Sequence, residues 1–483
     1  MMDLVLELWV ATAIERTKAA WMLGGGSAWR PGERLKLLCA GYNGTRNTGS
    51  DVRVEEMLRQ VRCVLGPENV ALSVMTQDFN RTRGYFGDAQ QVYLPDVFPP
   101  FLYREVRRHH GVIACEGSMF KSKFADALTA MMIGSLGIAA AENKISLGYG
   151  AEAGDMNPFL ARLCARYCRQ SLILTRNEAS QSVLSELGIP SELGADSAWT
   201  FEPHAPEIGR RALVEAGWDG RASVLAVCPI HPFWWPVRPS LGKFVAYQAL
   251  GAYKASHYRT LYFHKSGEKV DAAFEHYISN MARAVAAFRD RHGVFVILCA
   301  MEELDEHACQ AMAARMNLKG GARTPIFASA KRDMYEMVSI LRACDWMVSS
   351  RYHGMVTSMP ALVPAAGVTM DERIRNLLHE QGREDLLLTV EDPDLEVKLL
   401  LAMETLRSDA DGIRSAIGRT VVDNLKRMAS MGVFLEQNVH ERYLDFPIRG
   451  GVRSWEEYLP PLSQTLVRLV EKYESTASVF AAG

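Results

Sequence analysis

CDWMVSSRYHGMVTSMPALVPAAGV, running from Cys344 to Val368, holds the fold and the chemistry in one stretch. Its DWMVSS run is short and apolar, as a buried strand is. Gly354 permits a turn, MVTSMPA has a helix-like pattern, and LVPAAG returns to strand character. Arg351 and His353 then stand at the carboxyl end of the first strand, where open α/β sheets hold their ligands. A guanidinium, an imidazole and the first amides of a helix converge there on a volume that suits a carboxylate or a phosphate. Arginine's planar fork grips an oxyanion at two points, and histidine moves protons near neutral pH. The bland alternative is a histidine packed for structure alone.

Outward from this stretch the same alternation repeats. LKLLCA, VALSVM, VIACEG, ISLGYG and SLILT form a first series of β-rich runs, each followed by a polar turn or an amphipathic segment. SVLAVC, TLYFH, VFVILCA, PIFAS, WMVSS and LVPAAG form a second. Strands alternating with helix-period segments make parallel sheets with helices on both faces, so two doubly wound α/β domains facing a cleft are expected. WTFEPHAPEIG, from Trp199 to Gly209, breaks the periodicity between the series and reads as the linker. The expected organisation is an amphipathic N-terminal extension over 1–34, Rossmann-like domains over 35–205 and 206–392, and a helical tail over 393–483, with the second domain carrying the donor site.

At 483 residues and 48% hydrophobic content, the chain has the make-up of a globular enzyme. A formal charge of -2 lacks the basic excess that nucleic acid or anionic lipid would demand, so any anion must be met by a local site. The nine cysteines include no CxxC pair, and those in strand-like runs, such as Cys39, Cys115, Cys228 and Cys299, read as reduced core thiols. The expected location is therefore cytoplasmic. No secretory leader is expected, because Asp3, Glu7, Glu15 and Arg16 interrupt the N-terminal apolar spacing. Ala127 to Ala141, the longest uncharged run, is shorter than the roughly 20 residues of a membrane-spanning helix.

Four strand ends carry candidate site residues. CAGYNGTRNTGSD leads a strand through Gly41, Gly44 and Gly49 into a helix, with Asn47 and Asp51 beside it. Glycines let backbone amides approach an anion there, although a well-capped turn explains the pattern equally. Glu116 follows the VIAC strand and suits a sugar hydroxyl or a base, or a helix start favoured by the dipole. PIHPFWWPVRP offers Trp234 and Trp235 as stacking faces and His231 and Arg238 as cations, or else a hydrophobic plug. Lys265 follows another strand-like run. No GxGxxG, GxSxG, HExxH or metal-ligand spacing is present, and no metal or cofactor is expected.

These segments together resemble the polysaccharide pyruvyl transferase family. GYNGTRNTGSD is similar to the family's first glycine-asparagine loop, and LTRNEASQSVLSELGI to its Arg-Asp/Asn-x-x-Ser segment. LGADSAWTF places Asp196 at the family's aspartate, and the Arg351-Tyr352-His353 segment resembles its Arg-Leu-His. The resemblance covers roughly residues 35 to 390. It departs from the pattern where Ser50 follows Gly49 and Asp51 comes one position late, and where Glu116 replaces a glycine-rich stretch.

What the resemblance implies is a GT-B-like fold and transfer of pyruvate from phosphoenolpyruvate onto hydroxyls of a sugar or glycan precursor. Arg351 would hold the donor's carboxylate or phosphate, and His353 would serve as general acid/base. Gly354, His231, Arg238 and Lys265 are the further donor-side expectations. Asn47, Gly49, Asp51, Glu116, Trp234 and Trp235 are the acceptor-side or loop ones. The rival readings are a GT-B glycosyltransferase using a nucleotide sugar and a non-catalytic assembly protein that kept the fold. A homo-oligomer is compatible with the sequence.

Overall fold

The computed structural model describes residues 2–26, 28–316, 323–451 and 453–480. Its first sheet holds β1 (Leu35–Asn43), β2 (Val70–Thr76), β3 (Gln90–Tyr93), β4 (Gly111–Ala114), β5 (Ile145–Ala151), β6 (Leu172–Thr175) and β7 (Ser191–Leu193). They lie in the order β3-β2-β1-β4-β5-β6-β7, and all pairs are parallel. Successive side chains of a strand point to opposite faces. Leu35, Leu37 and Cys39 of β1 accordingly enter one core while Leu38 and Ala40 enter another. Both faces are covered, which is why the central strands read as nearly unbroken apolar runs.

The second series begins with β8 (Val224–Cys228), followed by β9 (Arg238–Pro239), β10 (His257–Arg259) and β11 (Tyr262–Phe263). It continues with β12 (Phe295–Ala300), β13 (Ile326–Ala328), β14 (Trp346–Ser349), β15 (Ala365–Thr369) and β16 (Leu387–Thr389). Six of these form a parallel sheet in the order β13-β12-β8-β14-β15-β16, the same winding as the first. Both sheets have the doubly wound order of Rossmann-type domains.

TLYFH does not join that sheet. It forms a small antiparallel unit in which β11 pairs with β9 and β10. The turn between β10 and β11 passes through Thr260 at φ 43°, a left-handed conformation that folds the run back on itself. The edge strands β3, β7 and β16 were not read from the sequence, because they are three or four residues long and largely polar or partly exposed.

Two helical elements brace the first sheet. Helix Met2–Met22 lies on helix Asp126–Ala141, whose Gly134 and Gly137 admit Val10 and Ile14; a Cβ there would meet them at 3.0 and 2.7 Å. The long helix Ala410–Arg442 packs back on helix Thr48–Leu65 of the first domain. Gln60 Nε2 donates to the carbonyls of Met428, at 2.7 Å, and Tyr458, at 3.0 Å. The nine cysteines are free, eight of them buried. No helix among the described residues is long and apolar enough to cross a membrane.

Candidate active site in the interdomain cleft

The carboxyl ends of the two sheets enclose a cavity of about 400 Å³. That is the size of a small-ligand site. Its polar end draws on both domains: Asn47, Ser50, Arg53, Glu116 and Arg176 come from the first, and Glu302, Arg351 and His353 from the second. Helix Thr48–Leu65 reaches across, with Thr48 N donating to Met301 O at 2.9 Å. Asn47 caps that helix, its Oδ1 accepting from Ser50 N at 3.3 Å.

Gly49 sits directly against the ring of His353, so that any Cβ at this position would overlap the imidazole. The glycine of the first loop thus serves close approach between the domains. His353 Nε2 lies 3.3 Å from Asp196 Oδ2. Arg53 Nε and Arg176 Nη1 each lie 3.2 Å from the same carboxylate oxygen. Burial pushes the Asp196 carboxyl up, but Arg176, His353 and Arg53 outweigh it and hold it well below the usual carboxylate range. Burial pulls His353 down to about 4 despite Asp196, with Arg53 and Arg176 adding to the fall. The imidazole is therefore neutral at pH 7. With Nε2–H donating to Asp196, Nδ1 is the basic atom.

The Arg-Asn-x-x-Ser segment gains a physical account. Asn177 Oδ1 accepts from Ser180 N at 2.8 Å, capping the helix, and Ser180 Oγ accepts from Ala153 N at 3.0 Å. Arg176 is thereby anchored with its Nε and Nη2 on Gly150 O at 3.3 and 3.2 Å, and its guanidinium lies 5.2 Å from the centre of the Tyr352 ring. Gly117 makes room for both guanidinium groups: a Cβ there would clash with Arg176 Nη2 and stand 3.2 Å from Arg53 Nη1. Two guanidinium edges therefore meet at one spot on the cavity wall.

Arg351 lines the cavity, but its fork does not stand free. Nε donates to Asp305 at 2.8 Å, and Nη2 donates to Glu302 at 2.7 Å and Asp305 at 2.5 Å. Burial opposes its charge, and the two carboxylates more than restore it. Burial also raises Asp305, to about 6. The Nε and Nη2 edge of Arg351 thus faces protein carboxylates, while the side chain lies in the cavity wall where the sequence-based expectation puts it. Gly354, expected to permit a turn, instead lies buried within helix Tyr352–Ser358, where a Cβ would stand 2.8 Å from Ser349 Oγ.

Glu116 lines the cavity, its Oε1 accepting from Tyr42 N at 2.5 Å, and burial raises its carboxyl. Trp235 also reaches the cavity, edge-on to Phe124 at 5.3 Å. The other expected residues lie elsewhere. His231 is sandwiched between Trp234 and Phe274, each ring 4.1 Å away, and burial lowers it to about 3. Trp234 stacks on His231 and His264 within that plug and does not line the cavity. Arg238 and Lys265 are exposed and do not line it either. Asp51 is buried behind the loop, Oδ1 without a hydrogen-bond partner, its carboxyl raised to about 8 by burial.

Sequence reasoning passed over Arg53, Arg259, Glu302 and Arg373, which all line the cavity. Glu302 had a usable signal, an acid immediately after the VFVILCA strand. Arg53 had only its place one helical turn beyond Gly49. Among the described residues, no group of three or more His, Cys, Asp or Glu side chains is placed to hold a metal ion.

The family model described as polysaccharide pyruvyl transferase matches residues 132–372. A putative UDP-N-acetylglucosamine 2-epimerase from Listeria monocytogenes superposes with a TM-score of 0.50 at 12% identity, over 84% of this chain and 97% of its own. HepE from Anabaena, solved with UDP and glucose, superposes with a TM-score of 0.50 at 10% identity, over 85% of this chain and 98% of its own. At such identities these are likenesses of fold, the two-domain GT-B arrangement. No curated protein sequence matches the chain.

Proposed function

The chain belongs to the polysaccharide pyruvyl transferase family and is a transferase; from that premise we propose that it moves pyruvate from phosphoenolpyruvate onto two hydroxyls of a sugar or glycan precursor. The observation that carries this reading is the meeting of Arg53, Arg176 and the Asp196–His353 pair in one cavity. An anionic donor needs such cations, and ketal formation needs a positioned proton carrier.

Arg53 and Arg176 hold the donor's carboxylate or phosphate where both line the cavity. Arg351 acts at one remove, fixing Glu302 and Asp305 in the wall. The first sugar hydroxyl attacks C2 of the donor while C3 gains a proton and becomes a methyl group. The second hydroxyl attacks the same carbon, phosphate leaves, and the hydroxyl proton goes to the phosphate. His353 is the group that carries protons in these steps, because Asp196 fixes its tautomer and an arriving phosphate raises its affinity for a proton. Glu116 stands on the acceptor side, its raised carboxyl suited to holding or deprotonating a hydroxyl.

The test is to incubate the protein with phosphoenolpyruvate and a panel of glycans, following phosphate release and the mass of the acceptor. Millimolar phosphoenolpyruvate should raise the melting temperature, since a ligand that binds only the folded state stabilises it. A shift with UDP and none with phosphoenolpyruvate would replace this reading with nucleotide-sugar glycosyl transfer.

A further inference from the structure

Phosphoenolpyruvate carries two anionic groups, a phosphate and a carboxylate, and the meeting of Arg53 and Arg176 provides for one of them. The other needs its own cation nearby. Arg259, Arg351 and Arg373 also line the cavity. Arg259 is committed to the first domain, with Nε 3.1 Å from Asp96 and Nη1 donating to the Tyr42 hydroxyl at 3.2 Å. Arg351 has Glu302 and Asp305 to itself, two carboxylates against one guanidinium, and that excess repels an anion.

Arg373 is placed differently. It stands just beyond the carboxyl end of β15, in the first turn of helix Glu372–Glu380, and one residue past the segment matched by the family model. Asp371 caps that helix and takes the Nε and Nη2 edge of Arg373 at 2.8 and 2.7 Å. The guanidinium lies over the Phe124 ring, 5.0 Å from its centre. Nη1 is the end that these contacts leave for a ligand. Asp371 is also shared: Lys121 Nζ lies 3.8 Å from it, 2.8 Å from Glu372 and 3.6 Å from Glu152, which lies 3.8 Å from Arg176 Nη1. This ladder runs from Arg373 in the second domain to Arg176 in the first. Lys121, Arg176 and Arg373 match Glu152, Asp371 and Glu372 charge for charge, so an anion arriving at Arg373 meets no negative excess.

We propose that Arg373 is a donor-binding residue, taking the carboxylate of phosphoenolpyruvate while Arg53 and Arg176 take the phosphate. This rests on the pyruvyl-transfer reading. A phosphate monoester carries about two charges at neutral pH and suits the place where two guanidinium groups meet; a carboxylate carries one and suits one N–H end. Held in this way the donor bridges the two domains, with its phosphate beside the Asp196–His353 pair.

Calorimetry of the full chain with phosphoenolpyruvate, against methyl phosphate, which lacks the carboxylate, tests the assignment without turnover. The parent should bind phosphoenolpyruvate at least about tenfold tighter, the scale of one charge-assisted hydrogen bond. Arg373→Met should bring that ratio to about one and leave the methyl phosphate affinity unchanged. Should the methionine variant not fold, Arg373→Lys keeps a cation beside Asp371 without the planar fork, and should still lower the ratio by about threefold or more. An unaltered ratio in the variant that folds, or an equal loss of both ligands, overturns the proposal, the second because it marks a residue that acts through the fold. A parent chain that binds no phosphoenolpyruvate sinks the functional reading and this assignment together, whereas parent binding that the variants retain sinks the assignment alone.

Discussion

The loops after β1 and β8 leave equivalent strands of two sheets with the same winding and both reach the cavity, yet they bring it different chemistry. After β1, small and polar residues bring helix Thr48–Leu65 close enough for Gly49 to touch His353 and for Ser50 and Arg53 to line the cavity. After β8, prolines and aromatics fold the loop onto itself, and His231 disappears into a stack with Trp234 and Phe274. A strand end is a place where chemistry can be mounted; side-chain size decides whether it is. Small residues let charged groups from the other domain approach, whereas rings large enough to stack on one another satisfy themselves.

The contrast can be broken most sharply at His353. His353→Ala should lower phosphate release from phosphoenolpyruvate by about 10³-fold, the scale of a lost acid/base group. An activity within about tenfold of the parent would remove His353 from the chemistry.

Asp196→Ala leaves Arg53 and Arg176 buried without their shared carboxylate, and should cost about 3–5 kcal/mol, read from the urea midpoint. The same cluster sets an acid limit. His353 binds its proton near 6.5 when unfolded and only at about 4 when folded, so the unfolded chain takes up more protons between those values. Stability should fall as the pH drops from 6.5 through about 4, and His353→Gln should flatten that slope.

Gly49→Ala forces a methyl group into the imidazole and should reduce activity by about 10- to 100-fold with little loss of donor affinity. Titration of phosphoenolpyruvate against turnover separates the two. His231→Phe is the smallest expected effect: stability within about 1 kcal/mol and kcat/KM within about twofold. A tenfold loss of kcat/KM there would show that the β8 loop faces the donor after all.

Much of the molecule was legible because its signals are local. Each buried parallel strand of the first sheet's centre announces itself by a short apolar run, and both windings follow from the alternation of such runs with helices. The caps were less legible: the sequence points to Ser50 or Asp51 for helix Thr48–Leu65, but Asn47 caps it and those two residues lie in its first turn. TLYFH misled because strand propensity does not distinguish a hairpin from a sheet strand. His231 misled for another reason. Its residue type suits an anion, but its partners, Trp234 and Phe274, are set by packing.

The amino-acid order alone determined two doubly wound sheets, a helical tail and the stations at which ligand-binding residues must stand, since hydrophobic period and turn chemistry act over a few residues. Only the folded chain decided which carboxylates each cation pairs with, that Arg53 and Arg176 meet at Asp196 beside Gly117, and that an N-terminal helix walls the cavity. Those facts are sums over groups far apart in sequence, and Coulomb attraction and exclusion of volume act on distance in space.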